Sequence, residues 1–74
     1  MQNNKMGVFF VHTQDSTMGS IILAGDRNDA RKFYSKQYAV KYFETRCMKL
    51  FDAKFSPTFD CDAPKFLKQY VSVV

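Results

Sequence analysis

Glycine, cysteine and histidine are scarce in this 74-residue chain, at three, two and one, and each scarcity removes a class of chemistry. The glycines stand alone, so no glycine-rich loop exists to cradle phosphates. Cys47 and Cys61 are too few for a disulfide framework, and Cys47 reads as a small buried hydrophobe in a reducing, cytoplasmic compartment. Neither they nor His12 show the CxxC or HxxxH spacing of a metal site. Nucleophilic catalysis needs a base beside its nucleophile, and His12 ends an apolar run with no motif around it. Asp60 and Asp62 flank Cys61 in the manner of caps at a strand–helix junction. The expectation is a protein that is not an enzyme, with no catalytic residue, no metal and no cofactor. Long apolar runs are absent too: none approaches the about 20 residues that span a bilayer. The first residues, Met1-Gln2-Asn3-Asn4-Lys5, have no signal-peptide core.

What the chain does have is aromatic and basic. Apolar residues make up 46% and aromatics 16%, including eight phenylalanines, enough for one small core and against global disorder. A single domain over 1–74 is expected, with a flexible N-terminus at 1–5 and a C-terminal extension at 62–74. At this size nearly every apolar side chain is needed for folding, which leaves a surface rather than a deep pocket to work with. Net charge is +4, with −1 on residues 1–26, +5 on 27–50 and zero on 51–74. Positive charge gathered on one segment favours an anionic partner, nucleic acid or an acidic protein groove.

Met6 to His12 is a β-branched and aromatic run of strand length, Gln14 to Thr17 is turn material, and Gly19 to Leu23 reads as a second strand. Residues 6–24 are therefore read as a hairpin. Asp26 or Asn28 offers an N-cap, with Asp29 in the first helical turn. From there to Phe51 neither glycine nor proline interrupts the chain, and Tyr34, Tyr38 and Tyr42 recur at i, i+4, i+8. The spacing predicts one long helix over 27–51, with Phe33, Val40, Cys47 and Phe51 as its core stripe. Tyr34, Tyr38 and Tyr42 make an exposed ladder on the other side, with Arg31, Arg46 and Lys49 on or beside it. Phe55 to Cys61 alternates as a short edge strand around Pro57. Asp62-Ala63-Pro64 starts a short terminal helix through Phe66, Leu67, Tyr70 and Val71, with a strand through Tyr70–Val74 as the competing reading. The expected class is α+β: a small antiparallel sheet, a hairpin plus a short third strand, packed on one long helix with a short C-terminal helix.

Tyrosine and arginine are enriched at interface hot spots, so the ladder reads as a docking surface for another protein. Aromatic rings among cations also suit single-stranded nucleic acid, by stacking and phosphate neutralisation. A third reading packs the ladder against its own copy, and the chain is expected to be a monomer or weak homodimer with no membrane partner.

Particular residues resemble the Dmd-like antitoxins of T-even bacteriophages. Val8-Phe9-Phe10 falls on a Val-Val-Phe-type run in that family's first strand, Gln37-Tyr38-Ala39 on a Gln-Tyr-Ala triplet in its helix, and Asp60-Cys61 on its terminal Asp-Cys after one extra residue. The likeness covers about residues 4–61. It implies a phage protein, acting in the cytoplasm of an infected bacterium, that binds a host RNase toxin and blocks its RNA-cleaving groove. In ungapped register the family's helix contacts, a tryptophan and an asparagine, fall on Phe33 and Tyr42, so both differ here. The expected partner-binding set is Arg31, Phe33, Tyr34, Tyr38, Tyr42, Arg46 and Lys49. The partner is a host protein, with RNA or single-stranded nucleic acid as the alternative.

Overall fold

In the computed structural model, residues 5–54 and 63–72 are described. Two strands come first, β1 (Lys5–Thr13) and β2 (Met18–Ala24). They pair antiparallel from Gly7↔Ala24 to His12↔Gly19, so the strand pair read from residues 6–24 is present. The turn is held by side chain and backbone together: Ser16 N–H donates to Thr13 O at 3.1 Å, and Ser16 Oγ donates to Met18 O at 2.7 Å. Asp26 caps the helix α1 (Arg27–Tyr38), its carboxylate accepting from Asp29 N–H at 2.8 Å. That satisfies one of the donors a helix start leaves open.

The helix ends well short of Phe51. Ala39 adopts the left-handed conformation at φ 55° and donates its N–H to Ser35 O, closing α1 after 12 residues. A 3-10 turn follows at Tyr42–Glu44, and then β3 (Thr45–Lys54). The long helix over 27–51 is thus replaced in its second half by extended chain. The reason lies in its residues: Val40, Tyr42, Phe43 and Thr45 are β-branched or aromatic and lose rotamer freedom in a helix.

The end of the chain is a second correction. Residues 65–72 form β4 (Lys65–Ser72), and no short helix is found there. The 62–74 extension therefore contributes a structural strand. The short edge strand placed at Phe55–Cys61 lies outside the described residues, and the third strand of the sheet is the ten-residue β3. The fold class expected from sequence is overturned accordingly: four antiparallel strands in the order β3-β1-β2-β4 carry one short helix.

Helix α1 covers one face. Phe9, Val11, Ile22 and Ala24 turn towards it and join Ala30 and Tyr34 in the buried core, with Phe33, Tyr38, Val40, Cys47 and Phe66 packed around them. Two glycines make room for rings on opposite faces. A Cβ on Gly7 would lie 2.7 Å from the Phe9 ring, and one on Gly19 would lie 2.7 Å from both the Phe10 ring and Val11 O.

Candidate binding face

The residues expected to bind a partner do not form one surface. Tyr34 is 7% exposed, its ring 4.7 Å from that of Tyr38. Burial, and then the nearby Tyr38, push its phenol pKa above the usual tyrosine value. Tyr38 is half-buried, with its hydroxyl 3.4 Å from Ser20 Oγ and its ring edge-on to Phe66. Phe33 packs on Phe66 at 4.9 Å. These three rings hold the helix to the sheet, so Tyr34 and Tyr38 form no exposed ladder on α1.

Arg31 and Tyr42 do come together, in a structural clamp. The guanidinium carbon lies 4.2 Å from the Tyr42 ring centroid. Arg31 Nε donates to Thr45 Oγ1 at 2.8 Å, and its Nη2 donates to Tyr42 O and Thr45 O, each at 3.2 Å. Tyr42 in turn donates its hydroxyl to Asn28 Oδ1 at 3.0 Å. Lys49 sits on β3 in an ion pair with Asp52. Arg46, also on β3, donates to Phe43 O and Thr45 O, and to Gln14 Oε1 at 2.6 Å. Of the seven, Arg46 is the one whose register places it on the face turned away from α1, opposite His12.

That face is built by the strand registers in three rows, since directly paired residues of an antiparallel sheet share a side. Phe51, Val8, Leu23 and Lys65 form one row; Met48, Phe10, Ile21 and Lys68 the next; Arg46, His12, Gly19 and Val71 the third. Each row carries one cation, and none carries a carboxylate. Two rings of adjacent rows, Phe10 and His12, lie 5.4 Å apart, with the Phe10 ring seated over Gly19. Met48 and Phe51 are 57% and 59% exposed, while Val8 and Leu23 at the centre are buried. Among the described elements, none packs over this face.

Sequence reasoning picked none of Phe10, Met48, Lys65 and Lys68 as binding residues, and it set Phe51 in the core stripe of the long helix, whereas Phe51 is 59% exposed on β3. One signal was available in β1: Val8-Phe9-Phe10-Val11 is apolar at successive positions, which loads both faces of a strand. A strand of a sheet covered by a single helix needs only alternate apolar residues, so the surplus points to the second face.

Elsewhere the polar groups serve the fold. A shallow cleft of about 390 Å3 beside the start of α1 includes Asp26, Arg27, Lys49 and Asp52. There Asp26 is the helix cap and Asp52 pairs with Lys49. Cys47 is half-buried, and burial raises its thiol pKa against the lowering pull of Arg27 and Arg31. Among the described residues, no three His, Cys, Asp or Glu side chains gather to hold a metal. No described helix is long and apolar enough to cross a membrane. Comparison of the chain with protein-family models, curated proteins and solved structures finds no match.

Proposed function

We propose that this is a binding protein whose working surface is the sheet face opposite α1, and that its ligand is single-stranded nucleic acid. The observation that carries the reading is the composition of that face: the Phe10–His12 ring pair and exposed Phe51 lie among Arg46, Lys65 and Lys68, with no carboxylate in the three rows. Rings on a sheet offer a flat surface on which bases stack without regard to sequence, and the cations neutralise phosphates beside them. A duplex, whose bases are already stacked, has less to gain there.

Fluorescence anisotropy of a labelled single-stranded oligonucleotide tests this across a salt series. Binding is expected to weaken with salt, at a slope of about −0.7 per phosphate neutralised on single strands. Phe10→Ala and His12→Ala should each weaken it by about 1–3 kcal/mol. Absence of saturable binding at low salt, or variants that bind as the parent does, sinks the proposal.

The second reading is the one the Dmd-like resemblance implies, inhibition of a bacterial RNase toxin. Its ladder surface is gone, but Phe43, 67% exposed with Lys41 Nζ 5.8 Å from its ring, offers an anchor for a protein partner. Inhibition of a purified RNase toxin, lost on Phe43→Ala while Phe10→Ala has no effect, is the result that selects it.

A further inference from the structure

Both edge strands of the described sheet, β3 and β4, expose apolar side chains. Strand β4 meets β2 with two register shifts, carries Lys65 and Lys68, and exposes Leu67 and Tyr70 at 45% and 66%. What singles out β3 is its register shift at Leu50, which turns Lys49 and Asp52 to the same side of the sheet, next to Met48, Leu50 and Phe51, which are 57%, 42% and 59% exposed. A ten-residue edge with three exposed apolar side chains is suited to pairing with another strand.

We propose that β3 pairs antiparallel with β3 of a second copy, across a two-fold axis between Leu50 and Phe51. A two-fold axis requires a self-complementary patch, and residues 48–53 read as one. In this register Leu50 lies opposite the partner's Phe51, Lys49 opposite the partner's Asp52, and Met48 opposite the partner's Ala53. The sides agree as well. Lys49 and Asp52 both lie on the helix side, across from Phe9 and Gly7, while Met48 and Ala53 both lie on the other, across from Phe10 and Met6.

Neighbouring registers fail. An axis through Leu50 sets Lys49 against the partner's Phe51 and Met48 against the partner's Asp52. An axis through Phe51 sets Leu50 against the partner's Asp52. Only the axis between them matches charge with opposite charge and apolar with apolar. Lys49 and Asp52 already pair within one chain, and across the axis the four groups form an alternating quartet. The product is an eight-stranded sheet in which the two candidate binding faces run on into each other. The proposal stands independently of what those faces bind.

Sedimentation velocity over a concentration series tests it. The parent chain should move from monomer to dimer as concentration rises. Lys49→Asp leaves four carboxylates at the axis and Asp52→Lys four ammonium groups, so each variant alone should stay monomeric. Mixed in equal amounts they should form a heterodimer, because each chain supplies the charge the other lacks. Neither chain can rebuild the Lys49–Asp52 pair internally, so recovery in the mixture reports contact between chains. Circular dichroism checks that both variants are folded. If either is not, Leu50→Lys, which sets like charges against the axis, replaces it, and its expected result is a monomer. A parent chain that stays monomeric throughout, single variants that dimerise as the parent does, or a mixture that stays monomeric overturns the proposal.

Discussion

The two faces of one sheet both carry phenylalanine from β1 and differ in what lies over them. On the helix side, Val11 and Ile22 are fully buried and Phe9 is 3% exposed. On the other, Val8 and Leu23 at the centre are buried as well, while Met48 and Phe51 on the edge strand keep more than half of their surface in solvent. The presence of apolar rings does not separate the faces, since each has phenylalanine from β1. What separates them is the 12-residue helix, held against one face by Tyr34, Tyr38 and Phe33. Apolar area buried under a helix stabilises the fold by roughly 25 cal/mol per Å2. The same area left open is available to a ligand or a partner.

The sharpest way to break this contrast is to delete methyl groups from each face in turn. Ile22→Ala, on the helix side, should destabilise the protein by about 2–5 kcal/mol in urea unfolding. Gly19→Ala should cost about 1–3 kcal/mol, because the new methyl meets both the Phe10 ring and a backbone oxygen, and the latter cannot swing aside. Oligonucleotide affinity should fall with it, as the displaced ring belongs to the candidate face. Arg31→Met removes the hydrogen bonds to Thr45 and Tyr42 that tie α1 to the start of β3, at about 1–2 kcal/mol in the same assay.

Tyr34→Phe sharpens the helix side by pH. Burial disfavours the phenolate, so the folded phenol holds its proton to higher pH than the unfolded one. Its contribution is therefore complete below the unfolded pKa and is lost as pH rises above about 10. Thermal melts of the parent should fall in that range, and those of the phenylalanine variant should fall less. The smallest effect is expected from Met48→Ala, within about 0.5 kcal/mol of the parent in stability. A loss as large as that of Ile22→Ala would mean that the second face is core and the contrast is false.

Local signals were legible in the sequence, and long-range ones were not. The first two strands, their polar turn and the Asp26 cap all rest on neighbours within a few residues, and propensity and spacing report those. The helix stop at Ala39 was hidden because no glycine marks it, although that residue takes a conformation glycine favours. Tyr34, Tyr38 and Tyr42 fit a 3.6-residue period, and this masked Thr45, Cys47 and Lys49, which alternate towards the helix side of β3. In Phe66-Leu67-Lys68-Gln69-Tyr70-Val71 both periods fit. The strand wins through its pairing with β2, a partner more than forty residues away that no local pattern names. The candidate face was missed for the same reason: its rows join β1, β2, β3 and β4, and only Arg46 was picked out in advance.

The strand order β3-β1-β2-β4 also sets the lengths of the loops that folding must close. The middle pair comes from adjacent stretches near the N-terminus, joined by a short turn, and such hairpins close in roughly 1–10 μs. Each flank must then close a much larger loop, because β3 returns to β1 only after the whole helix and β4 reaches β2 across most of the chain. Non-local pairings of that kind form slowly. A hairpin formed ahead of them has both central strands open at their outer edges, and open strand edges invite pairing with another chain.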